Sequence, residues 1–262
     1  MHALAVVMAA IDAKIDASKG DQIWCLGDTI GYGPDPVACV DVVAKRCKWA
    51  LLGNHDFGVL YEPTNFNAAA EQAAFWTRAQ FEAEAKRDRV GAIKRWEFLG
   101  KLRAREVEGP FLCVHGSPRR PINEYLFPED AENAPIKMRE NFHRIKKYCL
   151  VGHTHVPGVF TGDGDFYSPK EMDDATWKLK PNEKVIVNPG SVGQPRDLDP
   201  RASYAIMEVD MIESGDASTT STMVAKSVQF FRLEYDVKKV VEKIHAIEEL
   251  QNWLGDRLID GR

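Results

Sequence analysis

The sequence predicts an α/β fold on three observations. Short apolar runs stop abruptly at polar residues, amphipathic helical patterns alternate with them, and beyond residue 155 the runs become shorter and are separated by Gly, Asp and Pro. Strand, helix, strand alternation builds parallel sheets, whereas short runs between turn residues read as antiparallel strands. With 262 residues, 44% of them hydrophobic, and no Pro/Ser/Gly-rich linker, the chain reads as one domain over residues 1–262 with a full core.

The elements follow in order. MHALAVVMAAIDAKIDA places Leu4, Val7, Met8, Ile11 and Ile15 at helical spacing, so a helix starts at residue 2 with no capping side chain before it. QIWCLGD reads as a buried strand ending at Gly27 and Asp28. In GYGPDP, Asp35 is a helix cap and Pro36 the first helical residue, with Val37, Val40, Val43 and Cys47 along one face. WALLGNHD repeats the strand pattern and ends in Asn54, His55 and Asp56. Residues 67–103 predict two helices, in which Phe75, Trp76 and Phe81 serve packing rather than base stacking. FLCVHGS and YCLVGHTH are further strands, with a charged, Pro-interrupted loop and a helix around Ile136–Lys147 between them. VFTGDGDFY, KVIVNPGS, SYAIMEV and SVQFFRLEY predict antiparallel strands, and one last helix spans Val237–Leu254.

A net charge of -5 gives no basic footprint, which disfavours bulk nucleic acid as a partner. Five cysteines, an odd number without close pairing, point to a reducing compartment. No stretch approaches the roughly 20 apolar residues of a membrane span. The opening run lacks a basic segment ahead of its apolar core, so it is not read as a signal peptide, and the expected location is cytoplasmic.

Four apolar runs share one kind of ending. Each stops at a metal-capable side chain: Asp28; then Asn54, His55 and Asp56; His115; and His153 with His155. In an open α/β sheet, ligands bind outside the carboxyl ends of the strands, so these endings converge on one edge. Imidazole, carboxylate and amide oxygen without thiolate suit borderline metals. A carboxylate such as Asp28 can bridge two cations, and a pair of cations clamps a phosphoryl group, so phosphate-ester hydrolysis is the reaction this set suits. Arg119 and Arg120, just after HGSP, stand evenly between solvated charges and a substrate-phosphate role. Arg196 and Arg201 are expected to pair with Asp197 and Asp199.

GDTIGYGPDP, LLGNHD, CVHGSP, VGHTHVP and NPGSVGQPRDLDPRASY together resemble the calcineurin-like metallophosphoesterases, closest to the small bacterial and archaeal phosphodiesterases and phosphatases. The resemblance implies a four-layer sandwich of two mixed β-sheets flanked by helices, and hydrolysis by a hydroxide activated at two divalent metal ions. Manganese is expected first, with iron, zinc, cobalt or nickel compatible. By the same resemblance, Asp28 bridges the metals, Asn54, His115 and His153 complete the second site, and His155 belongs to the first. His55 is the catalytic histidine that is not a ligand, with Asp56 orienting it. Substrates would be small-molecule phosphoesters or phosphoproteins, without membrane involvement.

The family's first strand, which ends in Asp-x-His, has no counterpart before the opening helix. The first metal would keep only Asp28 and His155, which would impair catalysis in this chain. The favoured explanation is a natural product that continues upstream of Met1. The alternative is real loss, giving a non-catalytic metal-binding or scaffold protein on the same fold.

Overall fold

The computed structural model describes residues 1–212 and 222–262. Helix α1 (His2–Asp12) begins at residue 2, and no side chain caps it. It buries Ala3, Val7 and Met8, and Ala3 and Val7 pack against Ala202 and Tyr204. Strand β1 (Trp24–Cys25), helix α2 (Pro36–Arg46) and strand β2 (Trp49–Ala50) form the first strand, helix, strand unit, and the two strands pair in parallel. Asp35 stands at the N-cap of α2 but makes no capping bond; its carboxylate takes Lys243 Nζ at 2.8 Å instead.

Helices α3 (Asn54–Leu60), α4 (Ala68–Glu84) and α5 (Arg89–Gly100) follow. Val40, Val59, Ala74, Phe81 and Leu99 join these helices and α2 into one apolar cluster, as the spacing of residues 67–103 predicts. Trp76 is buried as expected, whereas Phe75 is 44% exposed.

Strands β3 (Arg105–Glu108) and β4 (Phe111–Val114), helices α6 (Asp130–Asn133) and α7 (Pro135–His143), and strands β5 (Tyr148–Leu150), β6 (Gly158–Thr161) and β7 (Phe166–Tyr167) come next. Strands β8 (Thr176–Lys178) and β9 (Val185–Asn188), the long pair β10 (Ala202–Ile212) and β11 (Thr222–Leu233), and helices α8 (Val237–His245) and α9 (Trp253–Asp260) complete the order.

A six-stranded sheet runs β3-β4-β5-β9-β6-β7, a three-stranded one β10-β11-β8, and β1-β2 form a small third. Side chains alternate between the faces of a strand, and here both faces are covered, which explains the uninterrupted apolar runs. Leu112, Val114, Cys149, Val151 and Ile186 face Met138 and Phe142 of α7. Phe111, Cys113, Tyr148, Val185 and Val187 face the other way, onto Ala225, Val228 and Phe230 of β11. The mixed sheets flanked by helices agree with the expected sandwich.

Two elements differ from expectation. KVIVNPGS is not purely antiparallel: β9 runs parallel to β5 and antiparallel to β6, so it joins the two halves of the large sheet. The last helix is two. His245 Nε2 lies 3.2 Å from the Asn252 carbonyl oxygen and 2.9 Å from Asp256, closing a turn between α8 and α9. That turn brings Ile244, Leu250, Leu254 and Leu258 into one cluster with Trp76, a grouping that a single continuous helix pattern also mimics. Among the described residues no helix is long and apolar enough to cross a membrane.

Candidate metal centre

Strands β1 and β2 are parallel to each other, as are β4, β5 and β9. Their C-terminal ends deliver Asp28, Asn54, His115 and His153 to one place. One ligand atom each from Asp28, His115 and His153 lies within 4.8 Å of the others. Asn54 Oδ1 and Asp28 Oδ2 both lie 3.2 Å from His115 Nε2. His155 lines the same cavity, of about 330 Å³, together with Asp28, His55, His115 and His153.

The backbone is strained where the candidate ligands stand. Asp28 (φ 52°), His153 (φ 65°) and His155 (φ 62°) are three of seven non-glycine residues with positive φ among the described residues. Such conformations are sparsely populated by side-chain-bearing residues and gather at functional sites. Glycine clears the space around them. A Cβ on Gly53 would stand 2.0 Å from Asp28 Oδ1, and one on Gly27 would stand 2.8 Å from His115 Nδ1 at a backbone φ of 97°.

Two of the imidazoles share one arrangement. His115 Nδ1 donates to the Leu26 carbonyl at 2.8 Å and His155 Nδ1 to the Gln194 carbonyl at 2.7 Å. With Nδ1–H donating, Nε2 carries the lone pair. His153 Nε2 is buried with no partner. His115 Nε2 confronts the oxygens of Asp28 and Asn54, a grouping that a cation shared among them would satisfy. The donor set therefore fits a divalent metal.

Electrostatics agree. Burial, then the neighbouring His115, pushes His153 down to about 3, and burial with Arg196 holds His155 well below its ordinary value. Both are therefore neutral at pH 7, the form that ligates metal. Burial would lower His115 too, but the Asp28 carboxylate outweighs it and raises the ring. Burial opposes ionisation of Asp28, yet the His115 and His55 rings hold it well below the carboxylate range.

Asp56 and His55 depart from expectation. The Asp56 carboxylate accepts from the N–H groups of Asp28 at 2.8 Å, Gly53 at 2.9 Å and Ile30 at 3.3 Å, so it ties the two ligand turns together and does not orient His55. Its position near the start of α3 makes the bond to the Gly53 N–H a helix cap as well. His55 is held instead by rings, Tyr32 at 4.4 Å and Phe66 at 4.9 Å between centroids, with its Nδ1 buried and unpartnered. Tyr32 sits within GYGPDP, yet nothing in that pattern signals a ring packed on a histidine.

The arginines are also redistributed. Arg119 pairs with Glu124 and Glu140, so its guanidinium is committed, whereas the Arg120 backbone N–H bonds Ser117 and its side chain is exposed. Glu124 further accepts from Ser117 at 2.6 Å, and the loop it anchors carries Tyr125, whose ring stacks on His153 at 3.7 Å. Although burial opposes it, bonds from Arg119, Ser117 and Asn141 hold the Glu124 carboxyl at about 2, below its ordinary 4.5. A depressed acid stabilises the fold fully above its unfolded pKa and loses that contribution as pH falls through the folded one. Glu124→Gln is therefore expected to cost about 1–2 kcal/mol at pH 7, allowing for solvent screening. Urea midpoints of the two proteins should converge between pH 4.5 and 2.

Arg201 pairs with Asp199 as expected, but Arg232 takes Asp197, and the Arg196 side chain instead bonds the side-chain oxygen of Gln194.

Comparison with known proteins places the chain in one family. A model of the calcineurin-like phosphoesterase superfamily domain covers residues 1–211. An uncharacterised protein of the archaeon Methanocaldococcus jannaschii is 31% identical over 262 residues, covering 97% of this chain and 94% of that one. The crystal structure of a metallophosphoesterase from Sphaerobacter thermophilus superposes with a TM-score of 0.74 at 32% identity, over 99% of this chain and 93% of the other.

Proposed function

Since the chain belongs to the calcineurin-like phosphoesterase superfamily, we propose that it is a divalent-metal-dependent hydrolase of phosphate monoesters or diesters. The observation that carries this reading is the gathering of Asp28, His115 and His153 within 4.8 Å of one another, with the His115 and His155 rings each held by Nδ1 on a main-chain carbonyl. Asp28, Asn54, His115 and His153 would hold one cation, and His155 with Asp28 would hold a second more weakly, manganese being the first choice for both. When bound, such cations neutralise phosphoryl charge and make water acidic enough to attack phosphorus near pH 7.

The chain's own groups do the rest. Tyr32 and Phe66 fix the His55 ring, which supplies a proton to the departing alkoxide oxygen. Approach of an anionic phosphate raises the pKa of that ring, which burial otherwise lowers. Substrates are small phosphoesters or phosphoproteins, in a cytoplasmic setting that suits five free cysteines.

The test is hydrolysis of bis-p-nitrophenyl phosphate by the chelated chain before and after manganese is restored. Activity should appear only with metal, and His55→Ala should lower kcat roughly 100- to 1,000-fold with metal binding intact. Metal binding without hydrolysis of any phosphoester would instead favour the scaffold reading.

A further inference from the structure

The His153 ring is held by its face. Where His115 and His155 are fixed through Nδ1 on main-chain oxygens, His153 lies 3.7 Å from the Tyr125 ring, centroid to centroid, with the planes 19° apart. His115 is the other ring beside it, tilted by 59° at 4.9 Å. The backbone on either side of His153 is clamped by Asn188, whose Nδ2 donates to the Gly152 carbonyl at 2.7 Å and to Thr154 Oγ1 at 2.8 Å. That clamp sets where the side chain starts, at a φ of 65°, but not how the imidazole is turned about its own bonds. A flat ring against one face settles the turn, because rotating the imidazole would drive its edge into the phenol ring.

Tyr125 is itself built into place. Phe127 stacks on it at 5.1 Å with planes 5° apart. Its chain neighbour Glu124 accepts from Ser117 at 2.6 Å and pairs with Arg119, which also reaches Glu140 on α7. Gly116 packs directly on this loop, since a Cβ there would stand 3.0 Å from both the backbone nitrogen and the carbonyl oxygen of Glu124. Gly116 follows His115, so one loop is keyed to one candidate ligand through the backbone and to another through a stacked ring. Leu126 enters the core beside α7, whereas Tyr125 and Phe127 on either side of it are each 38% exposed. Core packing therefore does not account for the two aromatic rings.

Resting on the metal-centre reading above, we propose that Tyr125 is a positioning residue for His153. Its ring fixes the imidazole plane that brings a His153 nitrogen within 4.8 Å of the Asp28 and His115 ligand atoms. The face of Tyr125 does for this ligand what a main-chain carbonyl does for His115 and His155. The role belongs to the ring and not to the hydroxyl, so phenylalanine serves as well and an aliphatic side chain does not.

The test is titration calorimetry with manganese on the full chain, stripped of metal by chelation and dialysis. Tyr125→Phe should bind within twofold of the wild type. Tyr125→Leu should bind roughly tenfold more weakly, the low end of what losing the partner of a ligating histidine costs. Tyr61→Leu, at an exposed aromatic that packs on Phe57 instead, should keep the wild-type affinity. Thermal unfolding without metal checks each fold; should Tyr125→Leu lose its transition, Tyr125→Met, which fills the space without a planar face, takes its place with the same expectation. In the metal-free protein, magnetic resonance of the His153 ring protons gives a second readout. The ring current of the aromatic side chain should shift them upfield in the wild type and Tyr125→Phe, and Tyr125→Leu should remove that shift while leaving the His155 protons unmoved. Manganese affinity of Tyr125→Leu within threefold of the wild type, or equal losses in the phenylalanine and leucine variants, overturns the proposal. A wild type that takes up no manganese sinks the metal-centre reading, and the ring-proton shifts then decide by themselves whether Tyr125 places the imidazole. No turnover enters these measurements, so an absence of hydrolysis with the affinities preserved sinks the hydrolase reading alone.

Discussion

Asp28→Asn is expected to lower manganese affinity by roughly 100-fold or more, a loss at or beyond that caused by removing a hydrogen-bond partner of a metal ligand. The fold should survive the change. Asparagine is nearly isosteric and tolerates the left-handed φ of 52° at this position. Its Oδ1 can still accept the His55 N–H, as Asp28 Oδ1 does at 2.9 Å. Its amide can donate to His115 Nε2, replacing a meeting of acceptors by an ordinary hydrogen bond. What disappears is the negative charge that holds His115 above its ordinary pKa and balances a cation. Calorimetric titration with manganese, alongside thermal unfolding without metal, separates the two effects. Metal affinity within threefold of the wild type would remove Asp28 from the centre.

Gly53→Ala is expected to be strongly destabilising, at about 2–4 kcal/mol. Its Cβ would stand 2.0 Å from Asp28 Oδ1 and 2.4 Å from the Asp28 backbone nitrogen, and the backbone cannot swing away as a long side chain could. The Gly53 N–H is also held by Asp56, which binds the Asp28 N–H as well, so both turns would have to part together. Urea unfolding should show a lower midpoint with an unchanged slope, and manganese binding should weaken in the same protein. A wild-type midpoint would mean that the two turns are not locked against each other.

The convergence of Asp28, His115 and His153 on one sheet edge was legible because each follows a short apolar run, buried throughout at Phe111–Val114 and half-buried at Trp24–Cys25, a pattern carried by local sequence. Leu112 and Val114 against Phe111 and Cys113 illustrate the alternation that puts both faces in a core. Side-chain partners were less legible, since they depend on contacts between distant segments. Asp56 follows His55 directly yet bonds residues 28 and 30, and Arg196 precedes Asp197 yet leaves it to Arg232 on β11. Adjacency misled in both cases because neighbouring side chains on a turn point apart. The division between α8 and α9 was hidden for the opposite reason: Leu250, Leu254 and Leu258 keep helical spacing to one another across an interrupted backbone.

The carbonyls that hold His115 and His155 come from 89 and 39 residues away in the chain. Each Nε2 is therefore located by the tertiary structure. If these rings hold a cation as proposed, discrimination among divalent ions would fall to ionic radius and preferred geometry against that spacing, since imidazole chemistry alone follows the general affinity order of the first-row metals.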